Sequence, residues 1–173
     1  MAAVMAAAGL LQPDAAASPS AAPAAGASAA PASGPQATAP DPARATYPLD
    51  CKGLPTAVTA TAQGDLDGDG RPETVAAVRC DAGSGTPPHA IYVLTQDKEP
   101  GAVPRVVATL LEAGKRQTAT DLAVRDGVVT ARLVGYSSPQ VPRYSPDVKQ
   151  LAKWRWSGGK FRQELTNSDA RSV

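Results

Sequence analysis

The chain has 173 residues, a formal net charge of +1, one histidine and two cysteines. The near-neutral charge and the scattered Lys and Arg residues exclude a basic nucleic-acid-binding surface. The length allows one small domain with a single core, because residues 14–46 are almost all Ala, Pro, Ser and Gly.

Residues 1–13 are mainly apolar, beginning Met-Ala-Ala-Val-Met-Ala-Ala-Ala-Gly-Leu-Leu. A bilayer span needs about 20 apolar residues, so this stretch is too short to cross one. Its length suits the apolar part of a secretory signal, with Ala15-Ala16-Ala17 as a small-residue cleavage site but no basic segment ahead of it. We expect a truncated signal or anchor here; the alternative is a plain disordered N-terminus. Residues 14–46 have too few large apolar side chains to offset their ordering entropy and read as a disordered linker. The folded domain is expected over residues 47–167, with a tail at 168–173.

Cys51 opens this domain and Cys80 lies 29 residues on. An even count in an exported domain points to one disulfide. The alternative is a pair of buried free thiols. Neither cysteine has the spacing of a zinc or redox motif.

The apolar runs that follow are short, valine-rich and broken by turn residues, which is a β pattern. Residues 56–61 lead into an acidic loop and 74–80 lead out of it. Residues 90–95 and 105–111 read as further strands, and the stretch near 110–115 as one helical turn. Residues 121–125 and 128–133 flank Asp126-Gly127, the strongest hairpin signal in the chain. Residues 148–156 and 160–164 flank Ser157-Gly158-Gly159. Eight strands in this order predict an all-β antiparallel meander: a sandwich, an open barrel, or two packed blade-like sheets. Trp154 and Trp156 share a strand face. They are expected in the core or capping its edge; exposed, they would form a possible binding surface for a ligand such as a glycan.

The acidic loop runs Gly64-Asp65-Leu66-Asp67-Gly68-Asp69-Gly70-Arg71-Pro72-Glu73. Carboxylates at alternate positions repel unless a cation sits between them. Calcium takes six to eight oxygens at about 2.3–2.6 Å, which a tight Gly-rich loop can supply. Counted from Asp65, carboxylates occupy positions 1, 3, 5 and 9, and Gly70 occupies the sharp turn at position 6. Position 12 is Ala76 rather than a bidentate Glu, Pro72 lacks an N–H, and the flanks read as strands, so the loop is not an EF-hand. The pattern D-x-D-x-D-G-x-x-D/E between strands resembles the calcium loops of FG-GAP repeats in integrin-type propellers. That resemblance implies Asp65, Asp67, Asp69, the backbone oxygen of Arg71, and Glu73 as ligands of a weak, structural Ca²⁺. The alternative is a polar turn whose aspartates only satisfy backbone N–H groups.

More broadly, the acidic loop, Val78-Arg79-Cys80, the turn Gly83-Ser84-Gly85-Thr86-Pro87-Pro88, the Tyr92-Val93-Leu94 strand and the closing Trp154-Arg155-Trp156-Ser157-Gly158-Gly159-Lys160-Phe161 hairpin resemble small actinobacterial secreted proteins and lipoproteins. The LppP/LprE type is the nearest named group. The resemblance implies a cell-envelope or extracellular location, with a cell-wall or envelope component as partner. Two features depart from it: no cysteine follows the apolar N-terminus to take a lipid, and residues 142–147 carry no cysteine pair.

Catalysis needs a positioned base, and His89 is the lone histidine. No nucleophile-elbow motif or phosphate-binding glycine loop accompanies it. The expectation is a non-enzymatic, exported calcium-stabilised domain. The runner-up is an envelope binding or accessory domain in which the acidic loop is only a turn and the Trp region or residues 83–88 meet the partner. A hydrolase using His89 is the distant third.

Overall fold

The computed structural model describes residues 37–168. The expected signal or anchor at 1–13, most of the expected linker, and the last five residues lie outside the described residues. The described chain is all-β, with two short 3₁₀ turns at Pro42–Arg44 and Ala113–Lys115. The first sheet holds β1 (Thr56–Gly64), β2 (Glu73–Cys80), β3 (Ala90–Thr95) and β4 (Arg105–Leu111). The second holds β5 (Thr118–Arg125), β6 (Val128–Gly135), β7 (Val148–Ser157) and β8 (Lys160–Asn167). Each sheet is antiparallel with its strands in chain order. Of the three expected forms, the open barrel is not the one seen: two four-stranded sheets pack together, and neither closes into a barrel.

The sheets meet face to face over one core. Val75, Ala77, Ile91 and Val93 from the first sheet meet Val129, Ala131, Leu133, Ala152 and Trp154 from the second. The alternate residues of the first sheet are buried as well. Ala76, Val78, Ala90, Tyr92 and Leu94 pack under a strap that includes Ala45, Tyr47 and Leu49. Burial on both faces explains why β2 and β3 read as continuous apolar runs, whereas β6 and β7 alternate. The outward positions Arg132, Lys153 and Arg155 of the second sheet are exposed.

The strap corrects the expected domain boundary. Residues 37–46, read as linker, are part of the fold. Pro40 is buried and its carbonyl accepts from the Thr74 hydroxyl at 2.6 Å. The Tyr47 hydroxyl donates to the Pro42 carbonyl at 2.7 Å, and Arg44 Nη2 donates to the Gly101 carbonyl. Farther on, a Cys51–Cys80 disulfide with Cα atoms 5.4 Å apart fixes the strap to the end of β2.

β5 crosses between the sheets. Its start lies beside β3, where the His89 amide donates to the Gln117 carbonyl and the Ala119 amide to His89 Nδ1. Its end lies against β1, where a Cβ on Gly64 would come within 2.5 Å of Val124 Cγ1. Only glycine admits that approach. The Asp126–Gly127 turn, with φ of 51° and 72°, then comes up beneath the acidic loop. A Cβ on Gly127 would sit 3.4 Å from the Asp65 carbonyl oxygen.

Candidate metal centre

The loop between β1 and β2 is held from below by its own sequence. Leu66 is buried and packs into the inter-sheet core, which leaves Asp65 and Asp67 on either side of an anchored residue. Glu73 opens β2 and is 6% exposed; its Oε2 accepts from the Leu66 amide at 2.8 Å. The two ends of the loop are thereby clamped together. Carboxylate oxygens of Asp65, Asp67 and Glu73 lie within 4.8 Å of one another.

The aspartates also fold the loop. Asp65 accepts from the Gly68 amide at 2.7 Å through Oδ1 and from the Gly70 amide at 2.9 Å through Oδ2. Asp67 accepts from the Asp69 amide, and Asp69 from the Arg71 amide. A carboxylate oxygen has two lone pairs, so one N–H bond leaves capacity for a cation. Asp69 is not one of the three carboxylates that converge. The Arg71 guanidinium is turned to the Gln96 carbonyl, to which its Nη2 donates at 2.6 Å, and takes no part in the carboxylate cluster.

Burial pushes the Glu73 carboxyl above the usual carboxylate range. The Leu66 amide works against that shift, and the charges of Asp67, Asp69 and Asp65 add to it. A cation at the focus of these oxygens would offset both the desolvation and the repulsion. The donors are hard oxygens of the kind calcium takes, and no nitrogen or sulfur donor joins the cluster.

No family model, curated protein or solved structure matches this chain. The site therefore stands on its own geometry.

The other candidate residues fall elsewhere. Trp154 is 2% exposed and belongs to the core, so it offers no surface to a ligand. This corrects its place in a possible binding surface: it faces the core, across from Val129 of β6, not outward. Trp156 sits near the hairpin tip, 36% exposed, with its ring edge-on to Phe161 at 5.0 Å between centroids. His89 is 5% exposed, and its Nδ1 is committed to the Ala119 amide. Its Nε2 has no hydrogen-bond partner. Burial first, and then the charge of Arg79, lowers its pKa. A ring so placed braces β3 against β5 and is shielded from solvent. Residues 83–88 form an exposed loop in which only Pro87 is partly buried. The bracing role of His89 was not legible in sequence, because its partners Gln117 and Ala119 lie some thirty residues away.

Proposed function

We propose that this chain is an exported or cell-envelope β domain of non-enzymatic type, with a structural Ca²⁺ bound by the loop at residues 65–73. The observation that carries the reading is the convergence of Asp65, Asp67 and Glu73 within 4.8 Å, one of them buried with its pKa raised. The ligands would be these three carboxylates, with the Arg71 carbonyl and water completing the set. The metal would join the ends of β1 and β2 and brace them over the Asp126–Gly127 turn of the second sheet.

Export is supported by the disulfide, which suits an oxidising compartment. Among the described residues, no helix is long and apolar enough to cross a membrane. An affinity of roughly 10⁻⁴–10⁻³ M, usual for extracellular modules, fits a loop without a bidentate twelfth ligand. A cell-wall or envelope component is the partner we propose, in keeping with the lipoprotein-like resemblance.

A second reading has an observation of its own. The amides of Gly68, Asp69, Gly70 and Arg71 are all satisfied by loop aspartates, as a metal-free turn requires. In that case the domain is an accessory binding module and the loop is only its turn. Titration of the full chain with Ca²⁺, read by calorimetry with Mg²⁺ as control, separates the two. Saturable binding of one Ca²⁺ supports the first reading; no heat up to about 10 mM, well above the expected dissociation constant, supports the second.

A further inference from the structure

Each sheet ends in strands with no hydrogen-bonded strand on their outer side, and such edges invite pairing unless they are bent or blocked. Three of the four edge strands here are bent. β1 carries a register shift between Val58 and Ala60, β4 carries two, and β5 shifts between Thr120 and Ala123, where Asp121 takes a φ of 53°. β8 is different. Its eight pairs with β7 run without a shift from Ser157↔Lys160 to Gln150↔Asn167, and it contains neither proline nor glycine. Every residue of β8 but Phe161 is exposed.

We infer that β8 is a self-association edge, pairing antiparallel with β8 of a second copy about a two-fold axis through Gln163. The parity of the strand permits it. Ser168 donates its amide inward to the Lys149 carbonyl, so the even-numbered residues of β8 face β7 and the odd-numbered ones face the free edge. A two-fold at Gln163 therefore sets Phe161, Gln163 and Leu165, whose backbone groups point outward, into hydrogen-bonded pairs with the second copy.

The side chains match in the same register. Phe161 falls opposite Leu165 of the second copy on the inner face, where Leu165 is 48% exposed. On the outer face, Arg162 falls opposite Glu164. Neither forms an ion pair among the described residues. Arg162 lies directly across from Arg155 within the chain, a like-charge pair that costs stability, and the incoming Glu164 would relieve it. The product is one continuous eight-stranded sheet made of two copies.

An edge-to-edge contact falls below the roughly 1,200 Å² of a standard interface, so the dimer belongs to the weak, transient class. Sedimentation equilibrium of the full chain should show reversible monomer–dimer exchange as concentration rises to about 1 mM, the upper end of weak affinities. Arg162→Glu and Glu164→Arg should each weaken association tenfold or more, since each sets like charges opposite each other in a closely spaced pair. The double variant R162E/E164R re-forms both pairs with their signs exchanged and should restore it. Gln163→Pro removes an amide that points outward and should abolish pairing, with the melting temperature at low concentration read as the control for folding. A chain that stays monomeric to about 1 mM overturns the inference. So does a dimer that ignores the single charge reversals, or a double variant no better than the singles.

Discussion

Calcium dependence of stability is the measurement on which the proposed site turns. Carboxylate oxygens of Asp65, Asp67 and Glu73 lie within 4.8 Å of one another. Two unit charges at that separation repel by about 1 kcal/mol in water-like surroundings and by roughly 3–4 kcal/mol at an effective dielectric constant near 20. Folding gathers three such pairs, and a divalent cation at their focus adds three attractive pairs that outweigh them. For a dissociation constant of about 0.1–1 mM, about 10 mM Ca²⁺ stabilises the native state by about 1.4–2.7 kcal/mol through mass action. In a domain of this size that corresponds to a rise in Tm of roughly 4–13 °C. The assay is thermal unfolding by circular dichroism in EDTA, in Mg²⁺ and in Ca²⁺. Asp67→Asn sharpens it. The amide oxygen can still accept from the Asp69 N–H, so the turn is kept, while two of the three repulsive pairs are removed. The variant should melt higher than the parent in EDTA and gain less from Ca²⁺. Superimposable melting curves in EDTA and in about 10 mM Ca²⁺ would refute the reasoning, because a site in the proposed affinity range must shift them.

Three further outcomes follow from the fold. Replacing Cys51 and Cys80 by Ser should cost about 3–4 kcal/mol, the chain-entropy value for a closed loop with a separation of 29 residues; urea unfolding of the oxidised parent and the variant gives the difference. The lowered pKa of His89 means that the unfolded chain binds a proton more readily than the native one, so stability should fall as pH drops from about 6.5 through the native value, and His89→Gln should flatten that slope in a pH series of urea midpoints. Gly64→Ala should destabilise by about 1–3 kcal/mol through its clash with Val124 Cγ1, and adding Val124→Ala should cost less than the sum of the two changes; equal additivity in the double-mutant cycle would contradict the close approach.

Seven strands were legible as apolar runs bounded by turn chemistry, and β8, which holds only Phe161 and Leu165 as large apolar residues, from the hairpin turn at residues 157–159. The runs at β3 and β4 match their predicted limits, since Pro87-Pro88 and the polar stretch Gln96–Glu99 close the first and Pro104 and Gly114 flank the second. β5 starts three residues earlier than its hydrophobic pattern indicates, because Thr118 and Ala119 are held by long-range pairing and by His89 rather than by periodicity. The strap failed for a different reason. Pro40 and Ala45 are small, and their composition is that of a linker. They are ordered by what covers them and by one hydrogen bond to Thr74, which no local pattern announces. In the acidic loop, positions 1, 3 and 9 converge as the spacing implies. Asp69, whose side chain accepts from the Arg71 amide, does not join them. The disulfide was open in sequence, since spacing alone does not fix a distance, and the strap is what carries Cys51 to Cys80.

The Cys51–Cys80 bond also sets a load path. Tension applied between the two ends of the described chain would peel the strap from Pro40 toward Cys51 and then pass across the sulfur bridge to Cys80. Residues 52–79, with β1, the acidic loop and nearly all of β2, lie inside the closed ring and would carry none of it. A domain pulled from its two ends would lengthen outside that ring first, because the sulfur bridge bypasses the covalent path through residues 52–79.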